Sequence, residues 1–196
     1  MKKIALLLFC MLFGSISAQE NPKDLLGIPG PVEFNGTEMF LAWSKEQSKT
    51  LYRQQFMLTD ERIEEFSQLL DFSYFTKEID IELAVRQKVE SVQKRQETDR
   101  YAKVNVTESP DGSEYIVDYY ISEAPENGTS YVEYNIYRFK NIPKGNDKHF
   151  LILSYIKREL GDLRSANRNL SRQRDEMMTA MIEYKIPEIK IGAKTE

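Results

Sequence analysis

Cysteine and histidine are almost missing from this 196-residue chain, which has one of each, Cys10 and His149. A lone histidine cannot build a multi-histidine metal site, and a lone cysteine excludes an intrachain disulfide and a thiolate zinc cluster. Any Ser-His-acid mechanism would have to run through His149, which stands beside Asp147 at a loop-to-strand step, and no serine lies in a G-x-S-x-G setting. The nine glycines are scattered, so neither G-x-G-x-x-G nor G-x-x-x-x-G-K-[ST] occurs and the usual phosphate-cradling loops are excluded. The oxygen-rich stretches at 111–114 and 125–130 do not match the calcium-loop pattern and read as hairpin turns. No cofactor is implied, because a core of this size folds without a metal.

Long apolar runs are equally scarce. The one from Ile4 to Phe13 follows Lys2 and Lys3 and leads into small residues ending at Ala18. At about ten residues it is half the roughly 20 that a membrane-spanning helix needs, so residues 1–18 read as a secretory signal peptide cut between Ala18 and Gln19. Cys10 lies inside that run behind the bulky Phe9, which argues against a lipid-modified cysteine. The chain is therefore expected to be exported, to the periplasm or the cell surface, without a transmembrane segment once the leader is gone. Loss of Lys2 and Lys3 moves the formal charge from −4 to −6, and this acidic balance points away from nucleic acid as a partner.

What remains divides into elements. Residues 19–31, QENPKDLLGIPGP, carry proline and glycine without periodicity and read as an extended tether. Two strands around Met39–Trp43 and Leu51–Leu58 form an N-terminal hairpin. Ile63, Phe66, Leu69 and Leu70 recur at helical intervals behind Thr59 and Asp60, which predicts a first helix over 60–71. Ile81, Val85, Val89 and Val92, with the Glu90/Lys94 pair, predict a second over 77–96, although 77–85 also alternates as a strand would. From Ala102 to Lys157 three turn signals separate four segments rich in Val, Ile, Tyr and Phe, an antiparallel meander. A last helix opens at Gly161 or Asp162 and is stopped by Pro187; its apolar stripe runs through Leu163, Ala166, Leu170, Met177, Met178, Met181 and Tyr184. The expected fold class is α+β: an antiparallel sheet of about six strands, hairpin plus meander, packed by helices including a long C-terminal one. One domain spans 32–187, and 188–196 form a loose tail.

Function is read largely by subtraction. The strand carboxylates Glu114, Asp118, Glu123 and Glu133 could assemble an acid/base pair, which makes a carboxylate-dependent hydrolase in a helix-sheet cleft one alternative. A carrier holding a small apolar ligand between the sheet and Met177, Met178 and Met181 is another. Two features point instead to binding without catalysis. With the helices on one side of the sheet, about half of the meander tyrosines, among them Tyr115, Tyr119, Tyr131 and Tyr137, would face outward as a surface for sugars or protein. Arg164, Arg168 and Arg172 recur every four residues on the last helix, where like charges repel unless something anionic answers them. The reading that follows is an exported, non-enzymatic binding protein whose partner is a protein or an envelope glycan.

Overall fold

A computed structural model describes residues 22–145 and 147–192. The expected leader over 1–18, with Cys10, lies outside the described residues. The chain forms β1 (Val32–Phe34), β2 (Thr37–Ser48), β3 (Leu51–Met57), β4 (Gln68–Phe75), α1 (Ile81–Arg95), β5 (Lys103–Glu108), β6 (Glu114–Glu123), β7 (Tyr131–Lys144), β8 (Asp147–Leu160) and α2 (Leu163–Glu183). All eight strands join one antiparallel half-barrel sheet in the order β1-β2-β3-β4-β8-β7-β6-β5. The α+β class holds, but among the described residues the sheet has eight strands rather than about six.

The additional strands are β1 and β4, and the helix expected over 60–71 is replaced by a loop and, over its last four residues, by the start of β4. Residues Thr59 to Ser67 form a turn-containing loop in which the Glu61 carboxylate accepts the Ser67 amide at 3.0 Å, and Gln68–Phe75 runs antiparallel between β3 and β8. The physical reason is burial on both faces. Leu70, Phe72 and Tyr74 enter one core while Leu69 packs with Met57 and Phe66 on the other side. A strand covered twice loses the polar/apolar alternation that would reveal it, and its apolar residues then match a helical spacing by coincidence.

The two helices start as their side chains dictate. Asp80 caps α1 by accepting the Leu83 amide at 2.9 Å, and Asp162 caps α2 by accepting that of Ser165 at 2.9 Å. Residues 77–80 precede the first helix rather than belonging to it. The helices lie on opposite faces of the sheet. Ile116, Tyr120, Val132, Tyr134 and Ile136 form one core with Ala166, Leu170, Met177 and Met181 of α2, whereas Val117, Tyr119 and Phe139 form a second with Val85 and Val92 of α1. Neighbouring residues along a strand point to opposite faces, so the two memberships alternate.

The segments flanking this sandwich are tied down. Leu26 and Ile28, in the stretch read as an extended tether, are 0% and 2% exposed. The Gln54 side-chain oxygen accepts the amides of Leu25 and Leu26, at 2.6 Å for the latter, and Asp24 accepts those of Leu26 and Ile28 at 3.1 Å. The Lys190 amide donates to the Leu26 carbonyl at 2.8 Å, and Ile189 is buried, so the start of the segment read as a loose tail is held as well.

Candidate functional site

The α1 face of the sheet carries all four tyrosines singled out in the sequence, and the structure covers them instead of displaying them. Tyr119 is 6% exposed. Tyr137 lies beneath Lys88 of α1, whose Nζ stands 4.1 Å from its ring centroid and 5.6 Å from that of Tyr119. Burial lowers the Lys88 ammonium below its ordinary pKa. Tyr131 is half-buried under Arg158, whose guanidinium lies 4.3 Å from its ring and 4.1 Å from that of Phe66. Tyr115 packs half-buried against the α1 core. The expectation of helices on one side, with half of the tyrosines outward, is corrected by α1: its valine stripe needs this face, and the rings supply the apolar surface it packs on.

The four strand carboxylates are likewise engaged. Asp118, 0% exposed, receives Arg174 through two bonds of 3.0 Å and the Tyr134 hydroxyl at 3.1 Å. Glu133 receives Arg158 at 2.8 and 3.0 Å, Glu123 receives Arg95 at 2.7 Å, and Glu114 receives Arg138 at 2.5 Å together with Lys140. Burial pushes the Glu114 carboxyl up, but the hydrogen bonds from Arg138 and Lys140 outweigh it and hold the group below the usual range. A general acid needs the opposite shift. Asp118 and Glu133 point to opposite faces and Glu114 and Glu123 stand at opposite ends of β6, while Glu123 and Glu133, diagonal neighbours on one face, are each held by a separate arginine. The single histidine is also occupied: His149 Nδ1 lies 2.7 Å from the Tyr74 hydroxyl. Among the described residues, no group of three or more His, Cys, Asp or Glu side chains could hold a metal. Between α2 and the sheet, Met177 and Met181 are 0% exposed and fill with their own side chains the space suggested for an apolar ligand.

The arginine ridge differs from all of these. Arg164, Arg168 and Arg172 are exposed on the outer side of α2 while Ala166, Leu170 and Met177 hold the helix to the sheet. Successive guanidinium positions are about 6 Å apart along the helix axis. No ion pair among the described residues engages any of the three, although Arg53, Arg95, Arg138, Arg158 and Arg174 each have a carboxylate. The ridge also occupies the first three turns of α2, whose first turn contains no acid. Arg164, the one of the three in the first turn, opposes the positive end of the helix dipole, a cost of about 0.3–1 kcal/mol near the terminus. Only the cap residue Asp162 offsets it. Hydrogen bonds from Ser165 lower its pKa first, and Arg164 and Arg100 lower it further. Arg100 is thereby placed at the head of the ridge, beside a cavity of about 540 Å³ that it lines with Arg95, Tyr101 and Leu163.

Sequence reasoning missed the charged residues that anchor the interior, including Arg53 with Asp71 (2.5 Å) and Arg138 with Glu114. Their signal was present: Asp71, Asp118 and Arg138 interrupt apolar strand runs, and a charge in such a place requires a partner. Among the described residues no helix is long and apolar enough to cross a membrane. The model of one uncharacterised protein family matches residues 26–186. No curated protein and no solved structure matches the chain.

Proposed function

We propose that this chain, which belongs to that uncharacterised family, is an exported, non-enzymatic binding protein of the periplasm or cell surface that holds an anionic partner, a protein or an envelope glycan, on the arginine ridge of α2. One observation carries the reading. Arg164, Arg168 and Arg172 remain exposed along the first three turns of α2 with no ion pair among the described residues, while Arg95, Arg138, Arg158 and Arg174 each bond a carboxylate. A solvated face gains nothing from that arrangement. An acidic surface docked against it would remove the mutual repulsion and satisfy guanidinium donors in a planar geometry suited to carboxylates. The tyrosines named with the ridge lie on the other face of the sheet, Tyr115, Tyr119 and Tyr137 with α1 and Tyr131 under Arg158, so they support the fold and leave the arginines to make the contact.

The test is cross-linking and affinity capture of the tagged protein from its native envelope, with the Arg164→Glu/Arg168→Glu/Arg172→Glu variant beside the wild type. A specific partner recovered with the wild type and lost with the variant, at unchanged thermal stability, supports the reading. A partner profile that the variant retains in full defeats it.

A further inference from the structure

At the opposite end of α2 from the arginine ridge, the tip of the β7–β8 hairpin and the segment 184–189 line a half-open cavity of about 590 Å³. This volume falls in the range of small-molecule sites, roughly 300–1,000 Å³. Its charged lining is one-sided: Arg138, Lys140, Lys144 and Lys185 face it against Glu188 alone. Two of the cations are already answered, since Arg138 and Lys140 share the Glu114 carboxylate. Glu188 is turned to Lys190 at 3.1 Å. Among the described residues Lys144 meets only a backbone acceptor, donating to the Ile189 carbonyl at 3.3 Å, and Lys185 has no carboxylate partner. The net result is two uncompensated ammonium groups at one opening.

The negative end of α2 would oppose an anion here, but the Arg138 guanidinium covers it. Its Nη1 donates to the carbonyls of Met181, Ile182 and Tyr184 at 2.9, 3.3 and 3.1 Å. The carbonyl dipoles are thus met on the side that faces the cavity. The rest of the wall is apolar, built from Ile142 and Pro143 on the hairpin and Ile186, Pro187 and Ile189 on the returning segment. A bare inorganic anion would leave that surface wet, and a neutral lipid would leave the lysines unanswered.

We propose that this cavity is a binding site for a small organic anion, a carboxylate carried on a short apolar body, with the carboxylate between Lys144 and Lys185 and the body against Ile142, Ile186 and Ile189. The site is separate from the arginine ridge and does not depend on the partner proposed there.

The test uses sodium octanoate as probe, with octan-1-ol and inorganic phosphate as its neutral and bare-anion counterparts. Calorimetric titration is combined with methyl NMR of isoleucine-labelled protein. The expected result is saturable one-to-one binding of octanoate that shifts the methyls of Ile142, Ile186 and Ile189. The Lys144→Gln/Lys185→Gln variant should bind about tenfold more weakly at unchanged melting temperature. Octan-1-ol and phosphate should each bind at least about tenfold more weakly than octanoate, and the Arg164→Glu/Arg168→Glu/Arg172→Glu variant should bind octanoate like the wild type. The proposal is overturned by octanoate that does not saturate, by saturation without shifts at those three methyls, by an affinity unchanged in the lysine variant, or by phosphate or octan-1-ol binding as tightly as octanoate.

Discussion

Arg174 grips Asp118 with two hydrogen bonds of 3.0 Å, joining the middle of α2 to the centre of β6 at a carboxylate that solvent does not reach. The pair is asymmetric: the Arg174 side chain is 32% exposed and that of Asp118 is 0% exposed. Removing the arginine therefore leaves a buried charge supported only by the Tyr134 hydroxyl and the Asn105 amide, whereas removing the carboxylate leaves a guanidinium that can turn to water. Arg174→Met should cost about 3 kcal/mol, the lower end of the range for breaking a buried pair because the arginine is partly solvated, and Asp118→Asn should cost less. Urea unfolding of the two variants checks the order. Equal costs would mean that the carboxylate is not the member the fold depends on.

How much of this was legible in the sequence depends on whether an element has one covered face or two. The meander was readable because turn pairs interrupt it at 111–112 and 127–128 and its strands carry branched and aromatic residues throughout. β4 was not, because Leu69 and Leu70 are buried on opposite sides of the sheet and alternation disappears. Alternation in β6 showed that Tyr119 and Tyr120 face opposite ways, but nothing local says that a second helix covers Tyr119. The four-residue spacing of Arg164, Arg168 and Arg172 was visible at once. The organic-anion cavity was not, because it joins residues 138–145 to 184–189 through register and chain return, which no local pattern encodes.

Acid should unfold the protein through its paired carboxylates. Burial pushes the Glu114 carboxyl up, and the hydrogen bonds of Arg138 and Lys140 more than reverse it, to below the ordinary value of 4.5. Asp99 behaves alike: burial raises it, while hydrogen bonds from Ser122 and Tyr101 and the charge of Arg95 hold it below 3.8. With the folded pKa depressed, the unfolded chain binds the proton more readily. The contribution is complete above the unfolded value and is lost as pH falls through the folded one. Urea midpoints should stay level down to about pH 4.5 and then decline. Glu114→Gln should flatten that decline, and a slope identical to the wild type would assign it to other groups.

The N-terminal segment should contribute to stability in spite of its lack of helix or strand. Leu26 is 0% exposed, contacts the core that includes Ile28 and Ile189, and its amide and carbonyl are both bonded, to Gln54 and Lys190. Leu26→Ala should cost about 2–4 kcal/mol, as for other leucines deleted from a closed core. The exposed Leu83 of α1, 46% exposed, provides the control, and Leu83→Ala should change stability by less than about 0.5 kcal/mol. Thermal and urea melts of the two variants decide it. A neutral Leu26→Ala would show that the segment detaches in solution.

Lys88 should be retained at a cost to the fold. Its ammonium sits on the Tyr137 and Tyr119 rings, and burial lowers its pKa. No carboxylate among the described residues answers it. A pKa lowered by burial means that desolvation disfavours the charged form in the folded state at neutral pH. The deficit disappears as pH rises through the folded value toward 10.5. Lys88→Met keeps a flexible stem of similar length over the two tyrosines and removes the charge. The variant should melt at the same temperature as the wild type or higher at pH 7, and any advantage should shrink when both are melted near pH 10. A loss of more than about 1 kcal/mol at pH 7 would show the opposite balance, in which the attraction of the rings for the ammonium exceeds its desolvation penalty and Lys88 holds α1 to the sheet.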